Sequence, residues 1–294
     1  MPGSVFIDNS NKAEIRNCTF DGSQNQENLK NKSLTQEIST SLYLNVNYFF
    51  IFMNNTIKNH RYDLSCLITF NKLQEESEEL PSEIDNLCSN SKQSIIIQEC
   101  NFYNNKCITN FEGGSIGLLI KNKNQKSIKY IEFQECTFLN NGDKNKESIA
   151  GVFGLSKQSP IITFYKCNFK FNEAHSTSSL IDIKEGNTLY IDNCNIDQYD
   201  ESGFLKFTSH ISEENIKITI CSSIFNNKRS KQQTLTNLIS IDQSNKNSRI
   251  DSLNIFDCIF NNISMDKDNF IFNVNVDSIQ FTNNKISNSP SSKN

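Results

Sequence analysis

Ten cysteines and three histidines are the residues of this 294-residue chain with the most chemistry to offer. Thiols in that number point to a disulfide framework or to a soft-metal site, and spacing decides between them. No Cys-x-x-Cys pair occurs, and His60, His175 and His210 lie far apart in the chain, which opposes a zinc centre. Six of the cysteines instead form a series: Cys18, Cys100, Cys136, Cys167, Cys194 and Cys258 each stand three residues after and two residues before a Phe or Ile. Cys66, Cys88, Cys107 and Cys221 fall outside it, and Cys88 with Cys107 is the pair that export would bridge. Residues 74–91 gather Glu75, Glu76, Glu78, Glu79, Glu83 and Asp85 without a base before Lys92. Calcium would be their chemistry, but the run lacks the alternating Asp/Asn-and-Gly spacing of a calcium loop and reads as a solvated acidic segment. No metal, cofactor or catalytic residue is therefore expected.

The cysteine series belongs to a longer repeat. Its clearest copy is Ile131-Glu-Phe133-Gln-Glu-Cys136-Thr-Phe138-Leu-Asn140-Asn141. Nine copies are centred on small anchors: Cys18, Asn55, Cys100, Cys136, Cys167, Cys194, Ser223, Cys258 and Asn284. Positions five before, three before and two after each anchor are apolar in all nine copies, in a chain that is 36% hydrophobic. Alternation of apolar and polar residues turns one face of a strand inward. The three-residue step from Phe133 to Cys136 breaks the alternation, so two residues must turn the chain there. Asn17, Asn54, Asn193, Asp257 and Asn283 occupy the second turn position, where the backbone needs a positive φ.

A further apolar pair precedes each copy: Val5/Ile7, Leu42/Leu44, Leu67/Thr69, Ile116/Leu118, Phe153/Leu155, Ile181/Ile183, Leu205/Phe207, Ile239/Ile241 and a ninth near Phe270 to Phe272. Three short strands per unit, repeated along the chain, are the mark of a solenoid. Parallel strands joined by crossovers wind right-handed. The expectation is an all-β, right-handed parallel β-helix of about nine rungs, spanning 1–294 as a single domain. Loop insertions are expected at 21–40 and 74–94, with a disordered tail at 287–294. Stacked anchors would stand about 4.8 Å apart with parallel Cβ vectors, which favours free buried thiols over disulfides.

This three-strand coil with a tight second turn resembles the pectin-lyase-like superfamily. The Phe-x-x-Asn spacing of Phe102/Asn105, Phe138/Asn141 and Phe169/Asn172, with Gly113-Gly-Ser-Ile116, is similar to the repeats of polymorphic outer membrane proteins. That resemblance implies a surface-displayed, non-catalytic adhesin. Polysaccharide-cleaving members of the superfamily carry clustered acids and a base on outward positions of the first strand. Here the corresponding outward positions hold Gly117, Gly154, Asp182, Lys206 and Ser240 on consecutive rungs. Asp182 has no carboxylate in line on either side, and Glu185 and Asp242 are displaced from it. Paired acids for glycoside hydrolysis, or acids holding calcium for a lyase, are not expected. The row reads as a polar exposed face.

Net charge is -4 with no basic stripe, which argues against nucleic acid, and only four Arg are present to clamp phosphates or uronates. The apolar run from Tyr48 to Met53 is too short to span a bilayer. Met1-Pro-Gly-Ser precedes no apolar leader, so an extracellular or cell-surface location would imply a longer precursor, with intracellular assembly as the alternative. Sequons at Asn17, Asn31, Asn54 and Asn262 leave the location open. The functional expectation is a non-catalytic interaction or adhesive module, binding a protein or glycan on exposed strand faces. The alternative is a scaffold that stacks end to end, and a polysaccharide lyase or hydrolase ranks below both.

Overall fold

The computed structural model describes residues 5–22, 42–62, 68–70, 94–107, 118–120, 130–142, 150–155, 160–174, 179–184, 188–198, 203–209, 216–227, 237–243, 250–261 and 271–287. Their regular structure is entirely strand, arranged in parallel sheets as a parallel β-helix. The acidic run, most of the 21–40 insertion, Cys66, Cys88, His175, His210, Glu185, Gly117 and residues 288–294 lie outside the described residues. Three expected boundaries shift by one residue. Asp21 ends strand β2 (Thr19–Asp21), Ser94 begins strand β7 (Ser94–Gln98) and Ser287 ends β27 (Lys285–Ser287), so none of the three belongs to a loop or tail.

Each repeat builds one corner. The strand before the turn joins an 11-stranded sheet, and the strand after it joins a nine-stranded sheet with one strand per rung. The residue just before every anchor has a positive φ: Asn17, Asn54, Glu99, Glu135, Lys166, Asn193, Ser222, Asp257 and Asn283 lie between 49° and 57°. Five of these are Asn or Asp, whose short polar side chains tolerate that region, whereas Glu99, Glu135, Lys166 and Ser222 occupy it at a local cost. The register keeps like positions in line. Phe133 pairs with Ile97 on one side and Phe164 on the other, and Phe138 with Phe102 and Phe169.

Inward columns are what this register produces. Phe133 and Phe164 stack at 4.8 Å between ring centroids with planes 4° apart, and Phe138 and Phe169 stack at 4.7 Å. Of the 27 template side chains, 24 are buried; the exceptions, Ile279, Phe281 and Ile286, all belong to the last rung. Burying a side chain of this size contributes roughly 1.5–3 kcal/mol gross, set against the chain entropy that each ordered rung loses.

The strand preceding each repeat behaves differently in the two halves of the chain. From the fifth rung on, β13 (Ala150–Leu155), β16 (Ser179–Lys184), β19 (Gly203–Ser209), β22 (Ile239–Gln243) and β25 (Phe272–Val274) form a separate five-stranded sheet. Its Phe153 meets Phe133 and Phe164 edge-on, closing the core from the third side. In the first two rungs no break separates the pair of strands: β1 (Val5–Arg16) and β3 (Leu42–Met53) each run twelve residues through both positions. The expected pairs of the third and fourth rungs shift accordingly. Ile68 and Phe70, not Leu67 and Thr69, pair with Leu42 and Leu44, and Leu118 and Ile120 continue that line in place of Ile116 and Leu118. The ninth pair settles on Phe272 and Val274, opposite Ile239 and Ile241.

Candidate binding faces and the buried polar ladders

The anchor column is a hydrogen-bonded ladder. The Cys100 thiol donates to the carbonyls of Phe52 (3.2 Å) and Gln98 (3.1 Å), and Cys136 to those of Ile97 and Gln134, both at 3.3 Å. Cys167 and Cys194 repeat the pattern, each bonding one carbonyl of its own rung and one of the rung before. Asn55 donates from Nδ2 to Ile15 O at 2.8 Å and accepts the Cys18 amide at 2.8 Å; Asn284 does the same for Ile255 and Cys258. Ser223 accepts the Cys194 amide at 3.0 Å. The interchange of Cys, Asn and Ser thus reflects a shared task of satisfying corner carbonyls and amides, beyond small size alone.

Cys18, Cys100, Cys136, Cys167, Cys194, Cys221 and Cys258 are free, and five of these seven are buried. Burial pushes the thiols of Cys136 and Cys167 well above the ordinary range, and that of Cys258 up to about 11. Cys194 is raised by its hydrogen bond with Cys167 and then by burial. Such thiols stay protonated and unreactive while the chain is folded. Cys107 ends β9 (Lys106–Cys107), but its expected partner Cys88 lies outside the described residues.

A second ladder runs beside the first. Asn105, Asn141 and Asn172 are buried, and each donates from Nδ2 to a carbonyl of the preceding rung: Ile57 at 3.1 Å, Phe102 at 2.9 Å and Phe138 at 2.9 Å. Each Oδ1 accepts the backbone amide one rung back, joining Asn172 to Asn141, Asn141 to Asn105 and Asn105 to His60. His60 is the fourth member. Its Nε2 lies 3.2 Å from Phe20 O, which fixes the proton on Nε2, and burial lowers its pKa. The residues before these four, Asn59, Asn104, Asn140 and Phe171, have φ between 53° and 61°. The spacing of Ile57 to His60 matches that of Phe102 to Asn105, so the sequence held the signal, which reading the histidine as a lone residue obscures.

The row Gly154, Asp182, Lys206 and Ser240 is in register as expected. Its exposure is not. Asp182 is 2% exposed, Gly154 is buried, and Lys206 and Ser240 are half-buried. Every residue of the neighbouring β13 is buried, so this part of the sheet is covered on both sides. Strand alternation identifies the inward face but carries no information about what lies over the outward one. Asp242 is exposed and pairs with Thr208, two residues along from the Asp182 row. Among the described residues no group of three or more His, Cys, Asp or Glu is placed to hold a metal ion.

One open outward surface lies on the 11-stranded sheet. Tyr130 and Tyr190 are 39% and 40% exposed on it, with Tyr165 half-buried between their rungs. Glu132, Thr163, Tyr190, Thr219 and Asn254 form one continuous outward row. Lys166 lies 5.0 Å over the Tyr165 ring and 3.4 Å from Glu135, edging the face at the turn. The sequons at Asn17 and Asn54 sit in the tight turn, where Asn54 Nδ2 donates to Asn17 Oδ1 at 2.7 Å. Comparison with family models, with curated proteins and with solved structures yields no match. The β-helix rests on the strand pairing itself.

Proposed function

We propose that the chain is a non-catalytic interaction module that engages an extended, repetitive partner along the outward face of the 11-stranded sheet. The supporting observation is the exposed Tyr130 and Tyr190 on a flat face whose other members are mostly neutral and polar. Tyrosine offers large, rigid contact area at low entropic cost, together with a hydroxyl for orientation. A regular strand spacing of about 4.8 Å suits a partner with its own short repeat, a glycan or an extended protein. The likeness to adhesin-type repeats and to the pectin-lyase-like coil points the same way as fold-level analogy, and with it a place at the cell surface.

The test is a binding screen on immobilised polysaccharides and surface proteins, run with an assay for new reducing or unsaturated ends with and without calcium. Binding without turnover, weakened at least tenfold by Tyr130→Ala with Tyr190→Ala, supports the reading. Turnover abolished by Asp182→Asn would replace it with an enzyme.

A further inference from the structure

The apolar columns end unevenly. At the first rung Ala13, Ile15 and Phe20 are 5%, 9% and 7% exposed. At the last rung the same columns end in Ile279, Phe281 and Ile286, exposed at 56%, 44% and 44%, although Leu253, Ile255 and Phe260 directly beneath them are at most 1% exposed. Phe272 and Val274 complete a half-buried apolar rim. The backbone is unmatched at the same place. In eight rungs the turn amide before the anchor donates to a carbonyl of the next rung, from Asn17 to Met53 through Asp257 to Thr282. Asn283 is the ninth, and no further rung follows among the described residues to accept from it. An edge of this kind, with no inward charge and no proline, is a template for pairing.

We propose that this rung is a self-association surface, on which two copies of the chain meet tail to tail across a twofold axis. Head-to-tail stacking needs two complementary open ends, and the first rung's inward side chains are already buried; an isologous contact uses the same patch twice. A twofold axis through Gln280, perpendicular to β26 (Ser278–Thr282), sets the two copies of that strand antiparallel. Ile279 of each then faces Phe281 of the other. The same rotation lays β27 of one copy over β25 of the other, so Ile286 covers the Phe272 and Val274 rim. It also brings the corner entering β26, with Asp277, over the corner leaving it, with Lys285. Both residues are exposed, and they are the only charges between 271 and 287. The patch is thus neutral overall and complementary to itself at both corners. This inference does not depend on the tyrosine face, which points away from the end.

Sedimentation velocity on the 294-residue chain tests it. The expected mass is twice 33.6 kDa. Phe281→Asp should return the protein to a single chain with an unchanged circular dichroism spectrum, whereas Phe171→Asp, on an exposed side chain of another rung, should leave the pair intact. Lys285→Asp should weaken association by roughly tenfold, and adding Asp277→Lys should restore it. A single-chain mass at every concentration overturns the proposal, as does an open series of larger species or a pair indifferent to Phe281→Asp. Loss of partner binding with pairing intact would instead count against the tyrosine face alone.

Discussion

Asn141→Leu is expected to destabilise the chain more than any substitution on its surface. The Asn141 side chain is fully buried and makes four hydrogen bonds: from Nδ2 to Phe102 O at 2.9 Å and Asn172 Oδ1 at 3.0 Å, and to Oδ1 from the amide of Asn105 at 3.0 Å and its Nδ2 at 3.1 Å. Leucine is of similar size, so the comparison isolates polarity from volume. Asn172 Oδ1 would keep the Asn141 amide, and Asn105 Nδ2 would keep Ile57 O. Asn105 N–H would be left buried without a partner, at about 1–3 kcal/mol, and Phe102 C=O, which sits in the strand pairing with Thr137–Leu139, would lose one of its acceptor contacts at about 0.5–1.5 kcal/mol, for a total of about 1.5–4.5 kcal/mol. Asn140→Ala, one residue earlier and exposed, loses a side chain that tolerates φ 54° and a long, exposed hydrogen bond to Asn104 Oδ1 (3.4 Å), and should cost about 1–2 kcal/mol. Urea unfolding with a shared m-value gives both numbers. An Asn141→Leu variant within about 1 kcal/mol of the parent would show that the ladder is hydrated and adds little to stability.

Two further outcomes follow from the same interior. His60 has a lowered pKa because burial disfavours its charged form, so the unfolded chain takes up the proton first. Stability is complete above the ordinary histidine value of 6.5 and falls as pH drops below it toward the folded pKa. His60→Asn, which gives this rung the residue used by the other three, should remove that component of acid sensitivity; an unchanged acid profile would refute the assignment. The raised ladder thiols act in the opposite range. Stability is present below their ordinary value of 9.0 and is lost as pH rises toward the folded values, by about 1.4 kcal/mol per protonated thiol one unit above it. In the native chain iodoacetamide should modify Cys18 before Cys100, Cys136, Cys167, Cys194 or Cys258, and rapid labelling of those five would contradict their burial.

The inward columns were legible because each rung repeats the same small set of constraints. Ile131, Phe133 and Phe138 show the strand face, and the break before Cys136 shows the corner. Asn at the second turn position announces a positive φ, although Glu135 and Lys166 adopt it without that signal. The pairing of the third and fourth rungs was not legible. Leu67, Ile68, Thr69 and Phe70 offer apolar residues in both parities, and only the neighbouring strand selects Ile68 and Phe70. Burial of Asp182 was hidden for a different reason, since what covers an outward face comes from elsewhere in the chain. His60 shows a third limit: its column is defined by hydrogen bonds to backbone, and asparagine and histidine look unrelated until both are seen to donate to the same kind of carbonyl.

The central claim, that strands alternate between a stacked interior and an outward face in a parallel register, is tested most directly at two adjacent residues. Phe138 is fully buried, with its ring 5.2 Å from that of Phe102 and 4.7 Å from that of Phe169, whereas Thr137 is half-buried on the outward side. Unfolding free energies of Phe138→Ala and Thr137→Ala should differ sharply, with a loss of about 3–5 kcal/mol for the first and under about 1 kcal/mol for the second. Equal losses, or a larger one at Thr137, would contradict the face assignment on which every column rests.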